Sequence, residues 1–267
     1  MKPQTDLPLG LVEDHLNLVF SVSNGSAIET FYGDVLGLRR IPNVELPGGR
    51  HMIRYHGGAT ELKFIVGASA DNALIVDPFE ARGIRGLHLQ LPDSRRQSIF
   101  SRFNMCGLEE PRALSTSAGP AQYSAIDPAG NSLTLSFYND DPIQPDLTRM
   151  HFDFGVVDPG RSGQFLQDIL GMTPVLSHDV PLQYQLGQSA INLHAVPEDR
   201  PALVGMPHEM QGMSLLQFVV HDVYKAREMI LAKGGSISIE PYNVGDLAVV
   251  MFVLGPDGIP IEFGAAM

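Results

Sequence analysis

The phrase Phe31-Tyr-Gly-Asp-Val-Leu-Gly-Leu38 returns far along the chain as Phe165-Leu-Gln-Asp-Ile-Leu-Gly-Met172. A phrase duplicated at that separation implies a duplicated structural unit, so the chain is read first as repeats. In each copy the apolar spacing predicts a helix ending at a glycine, Gly37 or Gly171, the residue that most easily takes the left-handed conformation satisfying the last carbonyls. Each copy follows a short alternating strand, Leu16 to Val22 in the first and Phe152 to Val157 in the second. A second phrase is duplicated too: Asp127-Pro-Ala-Gly-Asn-Ser-Leu-Thr-Leu135 has the layout of Gly255-Pro-Asp-Gly-Ile-Pro-Ile-Glu-Phe263, a tight turn entering a final strand. Each is preceded by a strand, a helix and a glycine. These are Leu87 to Leu91, Ser94 to Met105 and Gly107, then Leu215 to Val220, Val223 to Lys233 and Gly234. The order strand, helix, several strands therefore occurs four times.

Breaker-rich stretches at 68–86, 139–148 and 197–212 separate the copies. The middle one, with Asp140, Asp141, Pro142 and Pro145, is expected to link two domains, 1–141 (modules about 12–67 and 85–138) and 142–267 (modules about 148–196 and 213–266). With 267 residues, 44% of them hydrophobic, two compact cores are within reach. Met206 and Met210 in the last stretch, with Met213 beyond it, either line a substrate entrance or pack on a domain surface.

A formal net charge of −12, with basic residues clustered no further than pairs such as Arg39 with Arg40 and Arg95 with Arg96, argues against nucleic acid and anionic lipid as partners. The single cysteine, Cys106, excludes an intramolecular disulfide and falls in a helical pattern, where a buried structural thiol in a reducing compartment is expected. Met1 to Gly10 lacks the features of a secretory signal, and no apolar run is long enough to span a bilayer, so a cytoplasmic location is expected.

A βαβββ unit covers one sheet face with its helix and leaves the other concave; two such sheets joined edge to edge enclose a partly open barrel suited to a small ligand. The pattern resembles the vicinal oxygen chelate superfamily, which includes glyoxalase I, bleomycin resistance proteins and extradiol dioxygenases. The resemblance rests on Asp14-His15-Leu-Asn-Leu followed by Phe31-Tyr-Gly-Asp-Val-Leu-Gly, on Thr60-Glu61-Leu62, on Asp127-Pro-Ala-Gly-Asn, and on Pro256-Asp-Gly-Ile-Pro-Ile-Glu-Phe-Gly264. It implies an α+β fold of four βαβββ modules forming two glyoxalase-like domains with cupped mixed sheets.

The resemblance also implies a divalent metal ion (Fe, Mn, Ni or Zn) held by residues at the start of each module's first strand and on its last. The positions that match are His15 and Glu61 in the first module and His88 with Thr134 in the second. In the third they are His151 with Asn192 or His194, and in the fourth Leu215 or Leu216 followed by Glu262. His88 follows from counting back from Gly107; counting from Asp93 gives Gly86 instead. The implied metal ligands are thus His15, Glu61, His88, His151 and Glu262, with Glu61 and Glu262 as catalytic carboxylates. If modules pair in sequence order, the amino-terminal half holds two histidines and a carboxylate. If the first pairs with the fourth, His15, Glu61 and Glu262 converge and His88 and His151 share the other cavity.

Imidazoles and a carboxylate on adjoining strands leave neighbouring positions open on such an ion, where a small substrate with adjacent oxygens binds and an enolate is stabilised. A lone strand histidine is nevertheless commonly satisfied by a neighbour. Tyr55, Tyr123, Tyr184, His56 and His194 are further candidates for contacting substrate or moving protons. The resemblance implies a metal-dependent lyase or isomerase acting as a monomer or homodimer. The alternatives are a ring-cleaving dioxygenase, which would want a tyrosine at Phe252 and a histidine near Leu215, and a non-catalytic small-molecule-binding resistance protein.

Overall fold

In the computed structural model, residues 7–67, 80–114, 119–139, 149–175 and 182–267 are described. The four modules are all present. The first contains β1 (Asn17–Val22), helix α1 (Gly25–Ile28, continuing as a wider π turn over Glu29–Val35), β2 (Arg39–Leu46), β3 (Arg50–Gly57) and β4 (Thr60–Val66). The second contains β5 (Arg82–Pro92), α2 (Arg96–Met105), β6 (Arg112–Ala113), β7 (Ala121–Ile126) and β8 (Ser132–Tyr138). The third contains β9 (Arg149–Val156), α3 (Pro159–Gln164, widening over Phe165–Ile169), β10 (Thr173–Val175), β11 (Leu182–Leu186) and β12 (Ser189–Ala195). After the short β13 (Ala202–Leu203), the fourth contains β14 (Gly212–Val219), α4 (Val223–Ala232), β15 (Ile239–Val244), β16 (Ala248–Leu254) and β17 (Pro260–Ala266). No described helix is long and apolar enough to cross a membrane.

The duplicated phrase produces duplicated local geometry. Asn24 caps α1 by accepting from the Ala27 N–H, and Asp158 caps α3 by accepting from Arg161, each satisfying an amide that has no partner inside the helix. Both helices widen into a π turn over the repeated phrase, and both stop at a glycine with positive φ, Gly37 at +64° and Gly171 at +74°.

Two mixed sheets result. One has the strand order β15-β16-β17-β14-β1-β4-β3-β2, the other β10-β11-β12-β9-β5-β8-β7-β6, with β13 pairing to the start of β5. The first module thus joins the fourth and the second joins the third, which settles the choice that the sequence leaves open. Each sequence half, 1–141 and 142–267, is split between the two sheets; we propose those halves as the units of duplication. The middle linker expected at 139–148 lies, from 140 on, outside the described residues, as do 68–79 of the first. Residues 82–86 of that first stretch are strand, because β5 is flanked by β8 and β9 and extended at its start by β13.

Alternation divides each sheet into a helix side and a cup side. In the first sheet Leu18, Phe20, Leu62 and Phe64 point to the helices, where Phe20 and Phe64 stack at 4.4 Å and Tyr32 packs 4.6 Å from Phe64. Each such fully buried ring stabilises the fold by about 1.5–3 kcal/mol. The other face carries a separate small apolar cluster of Val19, Ile65, Leu215, Val250 and Phe252, and Met206 packs on it. Met206 therefore packs on the cup face of the first sheet. Tyr55, Tyr123 and Tyr184 all belong to the helix side: Tyr55 reaches the Glu29 carbonyl, Tyr123 packs edge-on against Phe100 of α2, and the Tyr184 hydroxyl lies against Gly163 of α3. None is positioned to contact a ligand in a cup. Cys106 corrects a further expectation, being the exposed C-cap of α2 instead of a buried thiol, since the helix ends one residue before it.

The two sheets are fastened at the Asp127 turn. Asp127 Oδ1 accepts from the backbone of Ala129 and Asn131, and its Oδ2 from Asn131 Nδ2 at 2.8 Å and the Tyr32 hydroxyl at 2.9 Å, while Asn131 Oδ1 accepts from the Met213 amide. Burial pushes the Asp127 pKa up, and these bonds oppose that. Tyr32→Phe removes one donor from a buried carboxylate and should cost about 1–2 kcal/mol, read as a shift in denaturant midpoint at unchanged slope.

Candidate functional site

The cup between the second and third modules is built on the antiparallel pair β5 and β9, which sets His88 directly opposite His151. Residues opposite one another share a face, and so do residues two apart along a strand, so His88, His151 and Asp153 look into the same cup. The two imidazole rings meet edge to face with centroids 5.7 Å apart. Burial lowers both pKa values, and that of His151, further depressed by His88, falls to about 4. Both rings are therefore neutral near neutral pH. His88 Nε2 bonds the Ser136 hydroxyl, and the Gln90 amide lies 3.1 Å from His151 Nε2.

Asp153 sits opposite Gly86, where an added Cβ would approach its Oδ2 to 3.0 Å; the glycine makes room for the carboxylate. Asn192 Nδ2 donates to Asp153 Oδ1 at 2.9 Å and His194 Nε2 lies 3.1 Å from the same oxygen. Burial raises the Asp153 pKa, but the bonds from His194 and Asn192 outweigh it and hold the carboxyl below its usual range. Gln183 orients Asn192 in turn, donating to its Oδ1 at 2.7 Å. The cup thus gathers two neutral imidazoles and one ionised carboxylate.

The cup between the first and fourth modules is of another kind. His15 lies before β1, buried, with Nε2 2.8 Å from Glu13; burial lowers its pKa and Glu13 opposes that. The strand position beside Glu61 belongs instead to Asn17, whose Oδ1 accepts from the Glu61 amide at 2.8 Å. Glu61 is 3.4 Å from Lys63 Nζ and 3.6 Å from Arg54. Lys63 donates to Gln217 Oε1, and Gln217 Nε2 donates to Glu262. Burial raises the Glu262 pKa, opposed by Gln217 and by the Lys63 charge. Glu262 points away from Ile261 and Phe263, which belong to the helix-side core. On the same face Leu215 and Phe252 are packed in the apolar cluster, so the fourth module presents neither an imidazole nor a phenol at those positions.

Of the residues the sequence singles out, His88 and His151 meet in one cup, with Thr134 beside His88 and His194 on Asp153. Glu61 and Glu262 share the other, joined through Lys63 and Gln217, while His15 turns to Glu13. Asp153, Lys63 and Gln217 are the residues sequence reading passes over. Asp153 and Lys63 stand two places beyond His151 and Glu61, where the strand period alone puts them on the same face. The metal ion implied by the resemblance does not fit this donor set. Among the described residues no three His, Cys, Asp or Glu side chains gather closely enough to hold one. Thr134 and Asn192 offer neutral oxygens in one cup, and an ammonium lies among the carboxylates of the other.

The glyoxalase/bleomycin resistance protein/dioxygenase superfamily matches residues 149–263. Lactoylglutathione lyase of Haemophilus influenzae is 30% identical over 125 residues, 43% of this chain and 89% of that protein. A probable chloroplastic lactoylglutathione lyase of Arabidopsis thaliana is 29% identical over 130 residues, 45% of this chain and 36% of that protein, so the match spans about a third of that relative's length. The solved structure of glyoxalase I from Zea mays superposes with a TM-score of 0.71 at 17% identity, covering 93% of this chain and 91% of that one. The chain belongs to the glyoxalase/bleomycin resistance/dioxygenase superfamily, and its fold of paired βαβββ modules is the two-domain glyoxalase-like form.

Proposed function

We propose that this chain is an enzyme of lyase or isomerase type acting on a small molecule with two adjacent oxygens, and that its chemistry takes place in the cup of the second and third modules. The observation that carries this reading is the juxtaposition of two neutral, half-buried imidazoles with a carboxylate held ionised. A carbon lying between a carbonyl and a neighbouring oxygen is acidified when its oxygens accept hydrogen bonds. A neutral imidazole N–H is a suitable donor to the developing negative oxygen, since it stabilises charge without needing to be protonated first. His88 and His151 fill that role. Asp153 takes the proton from carbon, with His194 and Asn192 holding its other oxygen, and returns it at the neighbouring position or to a departing group. The lactoyl group named in both curated relatives has this arrangement, a carbonyl beside a hydroxyl-bearing carbon, and lactoylglutathione is the first substrate to test.

The metal-dependent form of the reading needs a third donor to join His88 and His151. Elemental analysis of protein purified without a histidine tag is the measurement that decides it: stoichiometric Fe, Mn, Ni or Zn, lost in His88→Ala and in His151→Ala, would establish an ion in this cup. Metal-free protein that turns over lactoylglutathione would leave the imidazoles as the electrophile. The second reading, a small-molecule-binding protein without catalysis, is favoured by the apolar packing of Leu215 and Phe252. It predicts saturable binding of a ligand that is recovered unchanged. Protein that neither binds nor converts molecules with adjacent oxygens would overturn both.

A further inference from the structure

The cup of the first and fourth modules shows a departure from its own internal symmetry. The pairing of β1 with β14 sets Leu18 opposite Leu216, Val19 opposite Leu215 and Asn17 opposite Gln217, the register of a twofold exchange centred on the two leucines. Along the outer neighbours, Val19 pairs with Lys63 on β4, and Gln217 pairs with Glu262 on β17. The exchange that carries Val19 to Gln217 therefore carries Lys63 to Glu262. One module places a carboxylate at this position and its symmetry mate places an ammonium.

We infer that the Lys63 ammonium is the resident cation of this cup, occupying the position a divalent ion would need, and that the cup binds no metal. The side chain of Lys63 is only 10% exposed, and a charge so withdrawn from water persists only with counter-charges and hydrogen-bond partners. It has both: Glu61 at 3.4 Å, the Gln217 oxygen it donates to, and Glu262 held on the far side of the same amide. Asn17 Nδ2 turns toward Gln217 Oε1 at 3.5 Å, so the amide receives from both sides. Arg54 adds a second positive charge beside Glu61. A divalent cation entering between Glu61 and Glu262 would face the ammonium at close range, with like charges repelling and the carboxylates already engaged. This inference is independent of the chemistry proposed for the other cup.

The test measures thermal unfolding of the full chain with Mn²⁺ and with chelator, in a His88→Ala/His151→Ala background so that an ion in the other cup makes no contribution. That background should show no response to Mn²⁺. Adding Lys63→Glu should lower the unfolding temperature by about 6–20 °C in chelator. It should also create a Mn²⁺-dependent rise that recovers at least half of the loss, because three carboxylates then share one place with only the Arg54 charge beside Glu61 to balance them. If Lys63→Glu does not fold, the exchanged pair Lys63→Glu/Glu262→Lys should restore folding. A Mn²⁺ response in the background that Glu262→Gln abolishes would overturn the inference. So would a Lys63→Glu chain as stable as its background and indifferent to Mn²⁺, or an exchanged pair no better folded than Lys63→Glu alone.

Discussion

His151→Ala lowers the turnover of lactoylglutathione, or of whichever substrate with adjacent oxygens the chain accepts, by at least about 100-fold; His88→Ala and Asp153→Asn do the same. The magnitude follows from the roles proposed. Removing one preorganised donor to a developing oxyanion costs about 10²–10³ in rate, and removing a positioned base costs a comparable factor. Asp153→Asn is the sharpest of the three, since it keeps the shape and the bonding to His194 while removing the group that takes the proton. The loss should fall on kcat more than on KM, because the interactions are strongest when charge has developed. Circular dichroism and unfolding temperature measured alongside separate a lost site from a lost fold. Wild-type rates in His151→Ala or Asp153→Asn would exclude this cup as the place of reaction.

The second large effect is on stability in mild acid. His151 has a folded pKa of about 4 against about 6.5 when unfolded, so between those values the unfolded chain binds the proton that the folded chain refuses. Stability from this residue is complete above about pH 6.5 and is lost as pH falls from there toward 4, amounting to about 2–3 kcal/mol. His88 is shifted in the same direction by burial and adds to the loss. Asp127 and Glu262, pushed up by burial, act in the opposite sense, each favouring the fold as pH falls toward the carboxylate range. Urea midpoints from pH 7 down to pH 4 measure the sum, and His151→Gln, which cannot take up the proton, should flatten the profile. An equally steep profile in that variant would show that His151 is not held neutral in the folded chain.

The fold was readable because its determinants are local and repeated. The stops at Gly37 and Gly171 and the two final turns each act within a few residues, and each occurs more than once. The composition of the cups was less readable for a physical reason. Whether His15 or Asn17 stands beside Glu61 depends on where β1 begins, and a displacement of two residues leaves every strand alternation intact. The count that puts His15 on the strand start is two residues early, and the side chain turns to Glu13 instead. Partnership between modules was hidden altogether, since hydrogen bonding between β1 and β14 leaves no mark on either strand's own pattern. Lys63 illustrates the remaining gap. Its place on the face of Glu61 is legible from alternation, but its pairing with Gln217 and Glu262 becomes visible only when the fourth module is set alongside the first.

That arrangement of first with fourth and second with third has a bearing on how the chain is made. β1 must wait for β14, which begins at Gly212, so during synthesis the earliest strand stands with an open edge while most of the polypeptide is still to come. The second and third modules are nearer neighbours and have the shorter loop to close. Assembly from the middle outward is the order that topology favours, with the outermost modules zipping together last, and a chain halted before Gly212 should be retained by chaperones with β1 still accessible to protease.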